Sequence, residues 1–223
     1  MQITDADHTT VTDAVAQAEL TTSGEIVTVV ANESDGYTDV ALALSAFVSF
    51  TALVLLAFFP DPVLGAFDAL SGGWNTEWTP SGLLGLASGI GIALFLIVFA
   101  LTLSPAIRFA LIPGRVKSLR VEDAAIRHFK VGAERRTHGR TGVLIYVSLK
   151  EHRAQIVADE AIAAKVSPEV WGAAMVDMLQ EIKQGQLGAG IAAGVRDVGE
   201  ILAPHFPRAD DDQNELPDRL IQV

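Results

Sequence analysis

Two runs of apolar residues dominate the pattern of this chain. Residues 40–59 (VALALSAFVSFTALVLLAFF) and 82–103 (GLLGLASGIGIALFLIVFALTL) contain no charged side chain. At about 1.5 Å per residue, either run wound as a helix crosses a hydrocarbon layer of roughly 30 Å. A helix buried in a soluble core is the other way to satisfy such a run, but soluble helices usually keep a polar face, and here the unbroken pattern occurs twice. The pair is therefore read as a transmembrane hairpin, with spans at 40–59 and 82–103. Pro60-Asp61-Pro62 stops the first span and Pro80-Ser81 opens the second. The turn between them carries Trp74 and Trp78, residues suited to a membrane interface. Ser45 with Ser49 and Gly85 with Gly89 give small-xxx-small spacings on which the two helices are expected to pack.

Outside these runs the periodicities alternate between helix and strand. Thr4 is the expected N-cap of a helix running to about Thr21, with Val11, Ala14, Val15 and Ala18 on one face. Residues 25–31 (EIVTVVA) are β-branched and read as a strand. This arm of 39 residues is too short to bury a core, so it needs partners beyond the second run. There, 105–112 is apolar except for Arg108 and suits a membrane interface. Residues 115–135 form an amphipathic helix with Val121, Ala124, Ala125, His128 and Phe129 inward. Next, 142–149 (GVLIYVSL) reads as a central strand and 153–158 (RAQIVA) as its neighbour. Only Lys150-Glu151-His152 joins them, which suits a hairpin and not a crossover. Helices follow at 168–183, with Ser167 as cap and Pro168 as first residue, and at about 187–203. Asp210-Asp211-Asp212 then opens a polar tail, 207–223. A strand, a long crossover and a second strand imply a parallel, right-handed pair, to which the hairpin adds an antiparallel strand. The fold class is thus α/β: a mixed sheet with helices packed on it. Its one soluble domain is built from residues 1–39 and 104–206 and interrupted by the hairpin of 40–103.

Charge gives the hairpin an orientation. The chain has a net charge of −11 and is 50% apolar, and its mean hydropathy is +0.35, so the apolar residues must be concentrated in a few segments. All 16 Lys and Arg residues follow the second run, with Arg108, Arg115, Lys117 and Arg120 close behind it. By the positive-inside rule the soluble domain and both termini are expected in the cytoplasm, and the protein in the cytoplasmic membrane. The first 30 residues hold five carboxylates and no Lys or Arg, so no cleaved signal peptide is expected. With no cysteine there is no disulfide, thiolate ligand or thiol nucleophile. The acidic total, without a basic face, argues against nucleic acid as a partner. The lipid bilayer is the partner the spans imply.

Several landmarks taken in order resemble a known family. Ser23-Gly24-Glu25-Ile26-Val27-Thr28-Val29-Val30, Arg140-Thr141-Gly142-Val143-Leu144-Ile145-Tyr146-Val147-Ser148, then 153–159 and later Trp171 are similar to the successive motifs of the TPM domain. That family includes thylakoid lumen proteins of photosystem II repair and a nematode receptor-accessory protein. The resemblance spans residues 2–31 and about 120–206. It implies an α/β/α sandwich and, from plant members, acid phosphatase activity and divalent-cation binding. Many members carry glycines after the strand matching 153–158, where this chain has Asp159-Glu160-Ala161-Ile162.

The expected topology also defines a candidate site. If 142–149 and 153–158 pair as a hairpin, and the strand from Glu25 runs parallel to the first, then Ser23, Glu25, Arg140, Thr141, Asp159 and Glu160 converge at one sheet edge. Glu25, Asp159 and Glu160 are candidate oxygen ligands for Ca²⁺ or Mg²⁺, and Arg140 is a candidate anion-binding residue. The simpler alternative is an Arg140–Asp159 ion pair across the sheet edge. Arg135-Arg136-Thr137-His138-Gly139-Arg140 is a basic loop suited to a phosphorylated ligand or anionic lipid, or to plain solvation opposite the acidic arm. The five histidines show no zinc-binding spacing. There is no G-x-S-x-G elbow, phosphate loop or dinucleotide fingerprint. Gly188, Gly190 and Gly194 follow a helix, and are read as helix-on-sheet packing. Two functions are compatible with this inventory. One is a membrane-tethered accessory module that binds a membrane-protein partner and assists its assembly, repair or quality control. The other is a divalent-metal-dependent acid phosphatase.

Overall fold

The computed structural model of the protein describes residues 3–70, 78–132, 141–209 and 215–223. In chain order the elements are α1 (Asp5–Glu19), β1 (Glu25–Ala31), α2 (Thr38–Phe58), α3 (Pro60–Leu70), α4 (Pro80–Thr102), α5 (Pro105–Leu111), α6 (Gly114–Gly132), β2 (Gly142–Ser148), β3 (Arg153–Ala158), α7 (Glu160–Ala163), α8 (Pro168–Lys183), α9 (Leu187–Leu202) and β4 (Ile221–Gln222). They form two compact units. One joins Met1–Asp35 to Pro113–Val223, and the other is Gly36–Ile112.

The first unit is a mixed four-stranded sheet in the order β3-β2-β1-β4. β1 runs parallel to both β2 and β4, and β3 closes the hairpin antiparallel to β2. The two central strands are buried along their whole length, as expected where helices cover both faces. Ile26 and Val30 of β1 and Val143, Ile145 and Val147 of β2 join α1, α8 and α9 in one core. Val27, Val29, Leu144 and Tyr146 point the other way, against Val121, Ala124, Ala125 and Phe129 of α6. The period of two along each strand thus separates two apolar layers.

Local chemistry explains the element boundaries. Thr4 and Asp7 form a capping box on α1: the Thr4 hydroxyl accepts the Asp7 N–H at 3.2 Å, and the Asp7 carboxylate accepts the Thr4 N–H at 2.9 Å. α9 buries Ile191, Val195, Val198 and Leu202. Its glycines serve its helical neighbours and not the sheet, which corrects the sequence expectation. A Cβ on Gly190 would stand 2.7 Å from the Met178 carbonyl oxygen of α8, and one on Gly199 would stand 2.8 Å from the Ala18 Cβ of α1. Small residues there let three helices lie on one face of a narrow sheet.

Residues 207–223, expected to be a polar tail, return to the sheet in part. Leu216 and Leu220 are buried, and Ile221 and Gln222 pair with Val29 and Val30. A two-residue strand is too short for a periodicity to reveal it.

In the second unit, α2 and α4 have 21 and 23 residues and are each long and apolar enough to cross a membrane. Ser45 and Ser49 are buried as expected, and Ser49 Oγ donates to the Gly91 carbonyl at 2.8 Å. The small residue opposite them is Gly91, where an added Cβ would meet Leu53 at 3.3 Å, whereas Gly85 and Gly89 face open space. The prolines expected to end the first span also start α3, since a proline in the first turn gives up an N–H that has no helical partner. Tyr37 and Phe109 meet edge to face at 5.6 Å, and Arg108 donates to the Gly36 carbonyl at 3.1 Å. The two ends of this unit are therefore side by side.

Candidate functional site

The sheet edge singled out in the sequence is built from the start of β1, the start of β2 and the end of β3. Thr22 anchors the entry to β1: its buried hydroxyl donates to the Phe206 carbonyl at 2.7 Å and accepts the Gly24 N–H at 3.0 Å. Gly24 must be small, because a Cβ would lie 2.8 Å from Leu202 Cδ1. Thr141 Oγ1 donates to the Ser23 carbonyl at 3.1 Å, and the Glu25 N–H donates to the Thr141 carbonyl at 3.1 Å. Ser23, Glu25 and Thr141 are thereby locked in register.

Both buried carboxylates of the edge hold backbone amides. The Glu25 side chain, in a residue only 4% exposed, accepts the N–H groups of Glu215 and Leu216 at 3.4 and 3.2 Å. Asp159, 6% exposed, accepts the Gly142 N–H through Oδ2 at 3.1 Å, while its own N–H donates to the Gly142 carbonyl at 2.9 Å. Asp159 occupies the N-cap position of α7 without capping it through its side chain, because the carboxylate is turned toward β2. Gly142 thus lies between two acids, paired with Glu25 in the sheet register and bonded to Asp159. Glu160 begins α7 and is exposed. Arg140 and the rest of the basic loop at 135–140 lie outside the described residues, as does Trp74. The sequence-derived edge therefore assembles around Ser23, Glu25, Thr141 and Asp159. Among the described residues no group of three or more His, Asp or Glu side chains could hold a metal ion. Glu25, Asp159 and Glu160 are accordingly not gathered as a three-carboxylate cage.

The opposite end of the same strands carries a polar network that sequence reasoning passed over. Glu151, assigned only to the hairpin turn, is 2% exposed. Its carboxylate accepts the Ser148 hydroxyl and, at 2.8 Å, the Ser34 N–H. Ser34 Oγ lies 3.1 Å from the Tyr146 hydroxyl, and His128 stacks on the Tyr146 ring at 5.6 Å. Burial pushes the Tyr146 hydroxyl up from its ordinary value, and burial followed by nearby Arg127 pulls His128 down. Ion pairs reinforce the region: Lys150 with Glu33 and Arg120 with Asp35, both at 3.1 Å. These contacts fasten residues 33–35, the last before the apolar unit, to the hairpin turn and α6. A buried turn carboxylate leaves no periodic signal in a sequence.

Taken together, these features define an α/β/α domain with a four-stranded mixed sheet, split by an inserted pair of apolar helices. Residues 105–201 match the TPM domain, so the chain carries a TPM domain. The match begins after the insertion; α1 and β1, which complete the fold, lie on its other side. Among solved structures the chain is similar to the BA42 protein of the psychrophilic bacterium Bizionia argentinensis, determined by NMR. The identity is 19% and the TM-score 0.57, over 100% of this chain and 97% of that one. At that identity the likeness is one of fold. Comparison with curated proteins gives no match.

Proposed function

We propose that the protein is a membrane-tethered TPM-domain accessory module, which binds a membrane-protein partner and assists its assembly, repair or quality control. The observation that carries the tether is the exposure of the apolar helices. Only 22% of the most apolar stretch of α2 and 6% of that of α4 is buried, and Phe47, Phe50, Phe58, Leu84 and Ile92 are exposed along them. A core helix of a soluble domain would bury such residues, and left in water they would drive aggregation. The charge asymmetry of the chain favours the cytoplasmic side for the TPM domain. An accessory role is favoured because the buried acids of the candidate edge already hold backbone amides.

The second reading, a divalent-metal-dependent phosphatase, is kept by the placement of Glu25 and Asp159 on either side of Gly142. The test is a pull-down of the tagged protein from solubilised native membranes, with phosphomonoester turnover assayed on the same material with and without Ca²⁺ or Mg²⁺. A stoichiometric membrane partner without turnover supports the accessory module. Metal-dependent turnover abolished by Asp159→Ala would replace it with the phosphatase.

A further inference from the structure

The TPM unit contains a cavity of about 330 Å³ between α8 and the turn end of the β2–β3 hairpin. This is at the lower end of the range of ligand pockets, roughly 300–1,000 Å³. Its apolar wall comes from Val147, Leu149, Leu179 and Ile182, and its cationic groups are Arg153 and Lys183. No carboxylate lines it. The neighbouring Glu151 is engaged instead with the Ser148 hydroxyl and the Ser34 N–H.

Among the described residues, neither cation of the cavity is neutralised by an acid. Lys150 and Arg120 have carboxylate partners at 3.1 Å. Among the described residues neither Arg153 nor Lys183 pairs with one, and Arg153 Nη1 donates only to the adjacent His152 carbonyl at 3.2 Å. In a chain of net charge −11, two cations left without acids beside an apolar cavity are complementary to one kind of ligand, an anion with an apolar body. Arg and Lys together suit a phosphate.

The position of the cavity in the fold indicates the source of that ligand. A Cβ on Gly114 would stand 3.5 Å from Arg153 Nη2, and Gly114 is the second residue of this unit after the chain returns from the apolar helices. At the same end, the Lys150 N–H donates to the Asn32 carbonyl at 3.0 Å, three residues before the chain leaves for them. Both connections to the apolar helices thus depart from the end of the sheet that holds the cavity. We propose that this cavity binds an anionic phospholipid, with its phosphate on Arg153 and Lys183 and the first part of its acyl region against Leu149, Leu179 and Ile182. The choice of a lipid rests on the membrane-tether reading above.

The test uses the full chain in a non-ionic detergent, with bound small molecules counted by native mass spectrometry. The probes are water-soluble dihexanoyl phosphatidate, dihexanoyl phosphatidylcholine and inorganic phosphate. One phosphatidate should be retained in preference to the other two. Arg153→Gln and Lys183→Glu should each weaken its retention by roughly tenfold or more, as loss of a charged hydrogen-bond partner implies. Both positions are exposed, and circular dichroism should report an unchanged fold. Equal retention of phosphatidylcholine, equal retention of inorganic phosphate, or indifference to both substitutions would overturn the proposal. Because the probes are soluble, their binding is independent of whether α2 and α4 span a bilayer. That question is read separately by carbonate extraction of membranes, where release of the protein would remove the tether alone.

Discussion

Asp7 joins two parts of the TPM unit that are distant in the sequence, so its removal tests the account of how the split domain holds together. Its carboxylate accepts the Thr4 N–H at 2.9 Å and the Thr4 hydroxyl at 2.7 Å, capping α1, and accepts the Gly188 N–H of α9 at 3.0 Å. Loss of the capping interaction costs about 1 kcal/mol. A hydrogen bond to a charged acceptor contributes about 1.5–3 kcal/mol, and partial exposure of Asp7 places this one at the lower end. Asp7→Ala is therefore expected to destabilise the unit by about 2–3 kcal/mol, which for a domain of this size lowers the melting temperature by roughly 4–12 °C. The assay is thermal unfolding of the purified full chain, followed by near-ultraviolet circular dichroism, with hydrogen exchange to localise the loss to α1 and the start of α9.

The pH dependence of the same variant provides an internal control. The Thr4 hydroxyl, aided by the Thr4 and Gly188 N–H groups and by His8, outweighs partial burial and holds the Asp7 carboxyl below its ordinary value of 3.8. An acid depressed in the folded state adds stability that is complete above its unfolded value, about 3.9, and is lost as pH falls through the lower folded value. The gap between wild type and Asp7→Ala should be full at pH 7 and should narrow as pH falls below about 4. A gap under about 0.5 kcal/mol at neutral pH, within the range of ordinary surface substitutions, or one that persists unchanged at pH 3, would refute the reasoning.

Four further outcomes follow from the packing and the hydrogen bonds. Gly190→Ala should destabilise by about 1–3 kcal/mol, because its new methyl group meets backbone atoms of α8. Gly172→Ala, with nothing within 4 Å of the added Cβ, should stabilise by up to about 1 kcal/mol; denaturant midpoints of the pair separate close packing from helix propensity. Thr28→Val should raise stability by about 1 kcal/mol in the same assay, since Thr28 is 1% exposed and its hydroxyl has no hydrogen-bond partner. Glu25→Ala should release the C-terminal segment, seen as faster amide exchange at Leu216 and Val223, with a loss of about 2–3 kcal/mol.

The parts of this molecule legible in the sequence are those that repeat. β1 follows from a β-branched run, β2 and β3 from two strand-like stretches joined by three residues, α1 from Thr4 and its apolar face, and α2 and α4 from long uncharged runs. The convergence of Ser23, Glu25, Thr141 and Asp159 was also legible, because a hairpin and one parallel pairing fix which strand ends meet. What was hidden depends on single side chains meeting across the fold. Nothing in Lys150-Glu151-His152 shows that the middle residue is buried under Ser34, and nothing around Gly85 and Gly89 shows that Gly91 takes the contact with α2. Glu25 read as a possible cation ligand because carboxylates at strand ends are acceptors. Its partners are the amides of a segment some 190 residues later, and no local pattern reports that.

The insertion between β1 and β2 also sets the chain-entropy cost of closing the sheet. These adjacent central strands are separated by about 110 residues, and closing a flexible loop of that length costs about 4 kcal/mol in chain entropy. The contacts of Tyr37 with Phe109 and of Arg108 with Gly36 close most of that segment within the helical unit. Once the helical pair has formed, about 40 residues remain between the strands, and the closure cost falls to about 3 kcal/mol. The first 35 residues leave the ribosome with no partner for β1, and have none until β2 has been made. Assembly of the helical pair therefore favours closure of the sheet by about 1 kcal/mol. A substitution that weakens the α2–α4 contact at Ser49 or Gly91 is expected to slow formation of the β1–β2 pair.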